Sequence, residues 1–536
     1  MSERATGHVS ATCLAFVAAT ALAAIQPAAG KTVLGHGWDI LDSDTSDLLA
    51  NAAALDNTGL DGVAIRLRLG QTADGAAMDG TKMRGAPRWR EEAFDRDVAN
   101  IRELVKHRSM RQSMLMAWWG TGDRLDWRDD ERWADFAASM AVLARLARKC
   151  GLPGIVIDPE DYNRKCQFQR FKDNGDWDEL NRLARMRGRQ MSKAIFDAFP
   201  KCRLLTFWTF SEVEPCLFQD PRRVARAYDD LRPAFFNGMM DGLSDDGVIY
   251  DGDEFAYTSR ADRNDFYRHA WLMKGGARPF IAPENAARFD RQWLVSFGLY
   301  PDMHVNEIGS TYCFPRGVDE IAPVNLFAMN VEQAAKVAPD LIWIYGEHRG
   351  WIRWKGGSKY DRYNKWGTWD EALPGFTAAI RYGKDPAGAF AEDLAAGRLK
   401  AVADGRRLAP AKGEGGEYVV LPTIPAKPGD VFGVEFEAKG RRPRAWIFWH
   451  VNGKLRRGIW PVDVATDGSP DSDGFERGAA VVRVPATHGL DGMEVRIYSD
   501  HGAKQAADVR LLRVYPIIAS TKSSCTEHQR REKMTK

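Results

Sequence analysis

Short apolar runs alternate with longer amphipathic stretches from Lys31 to about residue 380, and this alternation constrains the possible folds more than any other feature of the sequence. Each apolar run has the length and composition of a buried strand. The eight runs are TVLGHGWDI (32–40), GVAIRLRL (62–69), SMLMAWW (113–119), GIVID (154–158), RLLTFWTF (203–210), GVIYD (247–251), PFIAPE (279–284) and LIWIYGE (341–347).

The stretches between these runs repeat apolar residues at spacings of three and four, which is the period of a helix. Clear examples are residues 90–107, 131–149 and 178–199. A strand followed by a helix, repeated eight times, predicts a closed parallel (β/α)8 barrel, the TIM-barrel fold, over residues 31–383. The alternative is an open doubly wound sheet. That fold would place a glycine-rich phosphate-binding turn after the first strand, and GHGWDIL does not fit the fingerprint.

The pattern changes after residue 384. Six runs with apolar residues at alternate positions lie between residues 418 and 517, and Asn452-Gly453 is typical of a two-residue hairpin turn. Short alternating strands of this kind predict a β-sandwich of the jelly-roll type over residues 384–518. The last segment, residues 519–536, is polar, and we expect it to be disordered.

The N-terminus has the features of an export signal over residues 1–30. Arg4 and His8 precede an apolar run at 11–25, and small residues follow at 28–30. This run is shorter than a membrane-spanning helix, and no other stretch of the sequence would span a bilayer. We therefore expect cleavage near residues 28 to 30 and an exported protein that is periplasmic, extracellular or at the cell surface.

Export would place the cysteines in an oxidising compartment. Cys150 and Cys202 stand before the fourth and fifth apolar runs, and Cys166 and Cys216 stand beyond the far ends of the same two runs. If these strands are neighbours, the bridges Cys150–Cys202 and Cys166–Cys216 are possible. Reduced, buried thiols fit the sequence as well.

Charge and motifs argue against several classes of function. The formal net charge of +2 is close to neutral for 60.0 kDa, and no basic stripe marks a nucleic-acid partner. The sequence contains no G-x-S-x-G motif and no His-x-His or His-Glu-x-x-His pair, so it indicates neither a serine nucleophile nor a metal centre. We expect no cofactor and no metal.

In a parallel barrel the active site lies at the carboxyl ends of the strands. The residues near the end of each run therefore test for a common chemistry, and carboxylates and aromatic residues recur there. The residues that we expect to bind substrate at this rim are Trp38, Arg66, Trp118, Tyr162, Trp208, Tyr250, Asp251, Tyr345 and Trp351. The candidate catalytic carboxylates are Asp158, Glu160, Glu284 and Glu347.

Carboxylates beside aromatic faces suit the cleavage of a glycosidic bond, because one acid protonates the leaving oxygen and a second carboxylate supports the developing oxocarbenium ion. Asp158 and Glu160 point the same way from an extended strand, and two close acids raise the pKa of one of them. We therefore predict that Glu160 is the proton donor and that Asp158 assists it. Glu284 or Glu347 would be the second carboxylate of an enzyme that hydrolyses a poly- or oligosaccharide.

The fourth run resembles a motif of glycoside hydrolase family 18, the chitinase family, in which the fourth barrel strand ends in D-x-x-D-x-D-x-E. In PGIVIDPE (153–160), Asp158 and Glu160 match the last Asp and the Glu, and the first two Asp positions hold other residues. Tyr250-Asp251 resembles the M-x-Y-D element of the same family. The resemblance implies that Glu160 is the acid and that Asp158 helps the acetamido group of the substrate to act as the nucleophile.

Two other functions are compatible with the sequence. A barrel that has lost its chemistry would be a non-catalytic carbohydrate-binding or surface protein, and the incomplete Asp-rich motif favours this alternative. A metal-dependent hydrolase could use Asp251, Asp253 and Glu254. The residues that could line a sugar-binding face in the sandwich, or else belong to its core, are Trp446, Trp449 and Trp460.

Overall fold

The computed structural model describes residues 31–71, 75, 77–78, 83–84, 88–119, 124–160, 167–168, 175–211, 230–259, 263–307, 310, 313–314, 322–408, 410–413, 416–456, 458–459, 461–499 and 506–518. The predicted export signal and C-terminal tail lie outside these residues, as do Tyr162, Cys166, Cys216 and Trp460. In the part of the chain that is described, no helix is long and apolar enough to cross a membrane.

Eight parallel strands close into a barrel, which confirms the predicted TIM-barrel fold. Strands that follow each other along the chain are neighbours in the sheet, and the last strand pairs with the first over six residues. The strands are β1 (Thr32–Gly37), β2 (Gly62–Arg66), β3 (Met114–Trp118), β4 (Gly154–Asp158), β5 (Arg203–Thr206), β6 (Val248–Asp251), β7 (Trp293–Val295, continued by Gly298–Leu299) and β8 (Leu341–Gly346).

A helix follows each strand and packs on the outside of the barrel. The helices are α1 (Thr45–Leu55), α2 (Asp95–Leu104), α3 (Asp130–Lys149), α4 (Trp177–Ala198), α5 (Arg232–Asp241), α6 (Arg263–Trp271), α7 (Pro323–Val337) and α8 (Phe376–Lys384). Aspartates cap several of them: Asp176, for example, accepts hydrogen bonds from the first two backbone N–H groups beyond Trp177. The helices predicted from periodicity at 90–107, 131–149 and 178–199 correspond to α2, α3 and α4.

Shorter elements decorate the ends of the strands. They are the hairpin strands Gly70–Gln71 and Ala77–Met78, and the helical segments Trp38–Leu41, Glu91–Phe94, Arg108–Met110, Glu254–Thr258, Leu272–Gly276, Arg278–Phe280, Pro283–Asn285, Ala286–Gln292, Pro301–His304, Ser358–Tyr360, Asp361–Trp366 and Trp369–Ala372. Two of these segments, Glu254–Thr258 and Pro301–His304, follow β6 and β7 and contribute to the site described below.

The seventh strand is not where the sequence predicted it. Residues 279–284 form 3-10 turns, and β7 begins instead at Trp293. Pro279 and Pro283 explain the difference, because proline lacks the N–H donor that a central strand requires. The first part of β7 pairs with β6 and the second part with β8, so the barrel is closed although the strand is interrupted at residues 296–297.

Of the two alternatives left open for Cys150 and Cys202, the structure has reduced, buried thiols and no bridge between them. Both residues are free and buried, at the end of α3 and just before β5. Burial raises the pKa of Cys150 to about 11 and that of Cys202 to about 12, so both thiols stay protonated and inert.

The C-terminal region is an antiparallel β-sandwich, as predicted. One sheet has the order β9-β19-β13-β17, and a second sheet contains β10, β11, β18, β14 and β15, with β12 on β18 and β16 on β14. The strands are β9 (Ala403–Leu408), β10 (Ala411–Gly413), β11 (Gly416–Val420), β12 (Ile424–Pro425), β13 (Val431–Lys439), β14 (Arg444–Val451), β15 (Lys454–Leu455), β16 (Val462–Ala465), β17 (Glu476–Arg483), β18 (Leu490–Tyr498) and β19 (Asp508–Ile518).

Hydrophobic residues between the two sheets form the sandwich core, and Trp449 lies fully buried within it. The predicted hairpin turn is present between β14 and β15, where Asn452 and Gly453 have φ values of 53° and 71°. A positive φ at both positions is what the two-residue turn requires.

The four-stranded sheet packs its outer face on the barrel. Helix α9 (Pro386–Ala395) follows α8 and places Phe390 against Tyr382 and Tyr515. An ion pair crosses the same contact, because Arg483 donates from β17 to Glu332 on α7 at 2.8 Å. The barrel and the sandwich are therefore joined by a small buried core and not only by the connecting chain.

Candidate active site

Strand β4 ends in two carboxyl groups that lie at the carboxyl end of the barrel, here called the barrel mouth. The Asp158 side chain is buried, with 7% of the residue exposed, and Glu160 is half-buried. The backbone N–H of Glu160 donates to Asp158 Oδ1 at 3.0 Å, so the two residues form one local unit.

The environment of this pair favours a bound proton. The pKa of Asp158 is raised to about 8, chiefly because the carboxyl is buried. The hydrogen bond from Glu160 opposes this rise, and the negative charge of Glu160 adds to it. Two acids that interact in this way titrate as a pair and hold one proton into the neutral range.

On the opposite side of the mouth, β8 leads into Glu347 and His348. A buried carboxylate, Asp302, orients both residues: it accepts from the backbone N–H of Glu347 at 2.9 Å and from that of His348 at 3.2 Å. The His348 ring also lies with Nδ1 2.9 Å from Asp302, and this hydrogen bond raises the pKa of His348. Glu347 itself accepts a short hydrogen bond from the Tyr300 hydroxyl.

Three tyrosines stack beside these acids. The ring centroids of Tyr257 and Tyr300 are 5.1 Å apart, those of Tyr300 and Tyr345 are 5.7 Å apart, and the planes are within 30° of parallel. His36 extends the stack on the other side of Tyr345 at 5.3 Å, and its burial lowers its pKa to about 3, so the ring is neutral. The stack, here called the tyrosine wall, comes from four strand ends.

Four acids lie near enough to Tyr345 for their charges to act on its phenol. Burial is the main cause that raises the pKa of the Tyr345 phenol above its ordinary range. The carboxylates whose charges raise it further are, in decreasing order, Glu347, Asp302, Asp158 and Glu254. Acids that follow β4, β6, β7 and β8 therefore converge around a single phenol.

Glu254 is the acid that β6 contributes to the mouth. It begins the segment Glu254–Thr258 and accepts a hydrogen bond of 3.4 Å from the Tyr257 hydroxyl. The preceding residue, Asp253, has a left-handed backbone with φ of 44°, a conformation that is strained for a residue other than glycine. His269 on α6 lies with Nδ1 2.8 Å from the buried Asp253 carboxylate and holds this turn in place.

Aromatic residues occupy the other side of the rim. Trp38 follows β1 and Trp118 ends β3; their rings meet edge to face at 5.9 Å, and both are half-buried. Arg66 ends β2, the strand between them, and is buried. The structure thus brings Trp38, Arg66 and Trp118 to one part of the mouth.

Glu284 does not belong to the mouth, which corrects the prediction that it is a second catalytic carboxylate. Its side chain is 60% exposed and pairs with Arg185 of α4 at 2.6 Å. Arg185 also binds Asp241 at the end of α5, which leads towards the amino end of β6. Glu284 was predicted to lie at the mouth because residues 279–284 were identified as the seventh strand, which in fact begins at Trp293.

Tyr250 and Asp251 are structural residues, although the sequence predicted that they bind substrate. The Tyr250 hydroxyl donates to Asp340 at 2.9 Å and accepts from Arg203 at 3.1 Å, at the amino ends of β8 and β5. Side chains alternate along a strand, so Asp251 points the other way. It is fully buried and binds the backbone and hydroxyl groups of the loop after β5.

Trp351 and Trp208 also differ from their predicted roles. Trp351 is 5% exposed; its backbone N–H donates to Asp39 and its indole N–H donates to the His36 carbonyl. Trp208 is 7% exposed and lies under the Arg232 guanidinium. Neither ring offers an open face, because each is packed into the loops that support the mouth. The predicted contact of Tyr162 with substrate lies outside the described residues.

The three acids of the alternative metal site, Asp251, Asp253 and Glu254, contact different partners. Asp251 binds the loop after β5, Asp253 pairs with His269, and Glu254 faces the tyrosine wall. Over the described ranges, no group of three or more His, Cys, Asp or Glu residues is arranged to hold a metal ion.

Sequence reasoning missed several residues of the site. Tyr300 and Asp302 follow the true β7, and they would have been found if that strand had been placed at residues 293–299. Glu254 carried a signal, the acidic run after the sixth strand, but we interpreted it as part of a metal site. Tyr257 follows Glu254 by one helical turn and gave no independent signal.

No family model matches the chain, and no curated protein matches it. Solved structures of similar fold include Amy13B from Eubacterium rectale, at 8% identity and a TM-score of 0.37, covering 88% of this chain and 96% of that one. An endocellulase from Pyrococcus horikoshii is 11% identical with a TM-score of 0.34, over 67% of this chain and 93% of that one.

A D-psicose 3-epimerase is 11% identical with a TM-score of 0.31, over 68% of this chain and 98% of that one. The structural neighbours thus include glycoside hydrolases and a sugar epimerase. With TM-scores this low, the function of this chain has to be inferred from its own side chains.

Proposed function

We propose that the protein is an exported glycoside hydrolase that cleaves a poly- or oligosaccharide at the barrel mouth by carboxylate acid/base catalysis. The observation that supports this proposal is the convergence of acids from four strand ends around Tyr345, beside the tyrosine wall. Aromatic faces pack against the C–H face of a sugar ring, and paired carboxyl groups supply the proton and the charge that the reaction requires.

Glu160 is the proton donor in this proposal. It is more exposed than Asp158 and so reaches the cleft, while Asp158 stays buried beside it. As the glycosidic C–O bond breaks, the leaving oxygen takes the proton of Glu160. The pair holds one proton into the neutral range, because the pKa of Asp158 is raised to about 8, and in the reactive form this proton is on Glu160 while Asp158 is ionised.

Glu347 is the second carboxylate. Its backbone is fixed by Asp302, and its side chain is 33% exposed and bound by the Tyr300 hydroxyl. An ionised Glu347 would support positive charge at the anomeric carbon while Glu160 protonates the leaving group. Water would then add to that carbon and return its proton to the donor, which restores both carboxyl groups.

Replacement of the donor tests the proposal. In Glu160→Gln the leaving oxygen has no acid, so we expect kcat on an activated aryl glycoside or an oligosaccharide to fall about 10²- to 10⁴-fold, with substrate binding retained. Glu284→Gln is the matched control, because this acid lies outside the mouth and should leave turnover unchanged. A non-catalytic carbohydrate-binding protein would bind oligosaccharides and show no turnover in any variant.

Glu347→Ala tests the second role. If Glu347 acts on the anomeric carbon, turnover should fall at least about 100-fold and azide should restore part of it by attacking in place of the carboxylate. If Glu347→Ala remains active only on N-acetylated sugars, the substrate's own acetamido group serves as the nucleophile, as the resemblance at Asp158 and Glu160 implies.

Export is proposed from the N-terminal sequence alone. Secretion by the native host followed by N-terminal sequencing of the mature protein should find a start close to Lys31. An intact N-terminus on protein recovered from the cytoplasm would contradict export and would leave the proposed chemistry untouched.

A further inference from the structure

The outer face of the second sandwich sheet carries a set of aromatic side chains that the barrel mouth does not use. Alternation along β14 sends Ala445, Ile447 and Trp449 into the sandwich core and turns Trp446 and Phe448 outward. The neighbouring strands β18 and β11 also turn large side chains outward. Of the two alternatives left open for the sandwich tryptophans, Trp449 belongs to the core and Trp446 does not.

Five outward side chains form a continuous ribbon across β14, β18 and β11. The ring of Trp446 is 6.4 Å from that of Phe448 and within 24° of parallel to it. The Arg496 guanidinium lies 4.7 Å from the Phe448 ring and 4.4 Å from the Tyr418 ring, and so joins the two. Tyr498 continues the ribbon 5.4 Å beyond Tyr418. We call these five residues the aromatic ribbon.

The aromatic ribbon faces away from the barrel. The four-stranded sheet uses its own outer face for the contact with α9, through Val431, Val481 and Tyr515. The outer face of the second sheet is therefore on the side of the sandwich away from this contact. All five side chains of the ribbon are half-buried. Their contacts with one another fix their orientation, and part of each side chain remains accessible to solvent.

The charges on this face are balanced within the face. Arg444 pairs with Asp463 at 2.7 Å, and Glu494 accepts from Arg496 and lies 3.5 Å from His450. A surface whose cations and anions neutralise each other matches an uncharged partner better than an anionic or cationic one. Such a partner must also offer flat apolar faces to the rings and hydroxyl groups to Arg496 and Glu494.

We propose that the aromatic ribbon binds a neutral polysaccharide chain, with sugar rings stacked along it. Sugars have the required chemistry, because each ring has an apolar C–H face and an equatorial edge of hydroxyl groups. The site is separate from the barrel mouth and would hold the protein on an insoluble polymer whether or not the barrel is catalytic. It adds a binding function to the sandwich.

Retention on insoluble polymers tests the proposal. The full chain carrying Glu160→Gln, which spares the polymer, is mixed with amorphous cellulose or with chitin, and the bound fraction is measured. We expect retention on at least one of the two, and a loss of affinity of at least about tenfold when Trp446→Ala and Phe448→Ala are added, the size typical of a removed aromatic anchor. Arg496→Met, which keeps the side-chain stem, should weaken retention as well.

The matched control is Trp271→Ala, which removes a ring that is 63% exposed on α6, a helix of the barrel and not of the sandwich. Equal unfolding temperatures confirm that the variants fold. The proposal is overturned if neither polymer retains the protein, or if retention is the same with and without Trp446 and Phe448. It is also overturned if the anionic polymer polygalacturonate binds the protein with the same affinity as the neutral polymers and through the same residues. Because the assay measures retention only, these outcomes do not depend on whether the barrel has hydrolase activity.

Discussion

Asp158 is a buried acid whose raised pKa makes a pH dependence of stability testable. The pKa is raised from 3.8 to about 8 by burial, so between these values the folded state holds a proton that the unfolded chain has released. The free energy of unfolding should therefore fall as pH rises through this window, by up to about 1.4 kcal/mol per pH unit from this group.

Asp158→Asn should remove this contribution. Urea unfolding at several pH values between about 5 and 8 is the measurement, and the variant should gain stability relative to the wild type as pH rises. Asp197→Asn, a change at an exposed acid near the end of α4, is the control and should keep the wild-type dependence. Parallel pH curves for wild type and Asp158→Asn would show that Asp158 is ionised throughout.

Asp302 is a positioning residue that acts through Glu347 and His348. In Asp302→Asn the negative charge is lost, so the pKa of His348 should fall towards its ordinary value, and an NMR titration of the imidazole measures this shift. If the proposed function holds, kcat should also fall by about 10- to 100-fold with little change in KM, because Glu347 is less well fixed. A loss of kcat without a shift in the His348 titration would point to general disruption instead.

At this scale the sequence located three of the acids at the barrel mouth and missed the residues that hold them there. Asp158, Glu160 and Glu347 could be placed at the mouth because each follows a strong apolar run. For Tyr250 and Asp251, burial and hydrogen bonding determine where the side chain lies. Tyr250 points down the barrel and Asp251 points out of it, although both end the same strand. A residue's position after a strand does not determine which of the two directions its side chain takes.

Among the elements, β7 explains most of the difference between prediction and structure. Seven of the eight predicted barrel strands are present, and the helical periodicity located α2, α3 and α4. The true β7 lies in the apolar run WLVSFGL (293–299) and forms two short pieces that are interrupted at residues 296–297. The run chosen instead, PFIAPE (279–284), contains two prolines, which cannot donate to a sheet, so its composition already argued against a central strand.

Gly298 in the second part of β7 supports the tyrosine wall. A Cβ at this position would come within 2.7 Å of both the Tyr257 and Trp343 rings, so the backbone can approach these rings only without a side chain. Gly298→Ala should cost about 1 to 3 kcal/mol in unfolding free energy and displace Tyr257 from the stack. Gly458→Ala, where the surrounding space is open, is the control and should change stability little.

Thermal unfolding measures the cost, and the proposed hydrolase activity reports on the wall. We expect Gly298→Ala to lose kcat as well as stability, since the shifted ring is part of the site. Equal stability for Gly298→Ala and the wild type would mean that the two rings move aside freely, and that the wall does not depend on this close approach.

At the scale of the whole molecule, the sequence predicted the two architectures but not how they meet. The alternation of apolar residues identifies a barrel and a sandwich separately, because each pattern is local. The contact between them uses residues from α7, α8, α9 and the outer face of the four-stranded sheet, which no local pattern relates. One consequence is that the other face of the sandwich, with its aromatic ribbon, is turned away from the barrel.

Phe390 is the centre of this contact and provides a test of whether the two parts unfold together. It is fully buried, 5.5 Å from the Tyr382 ring and 5.4 Å from the Tyr515 ring. Phe390→Ala would leave a cavity there and should lower the free energy of unfolding by about 3 to 5 kcal/mol. We expect calorimetry to give one coupled transition for the wild type and two transitions for Phe390→Ala, one for the barrel and one for the sandwich. Tyr267→Ala, at a ring that is 38% exposed on α6, should keep the wild-type profile, and the same profile for Phe390→Ala would contradict a stabilising junction.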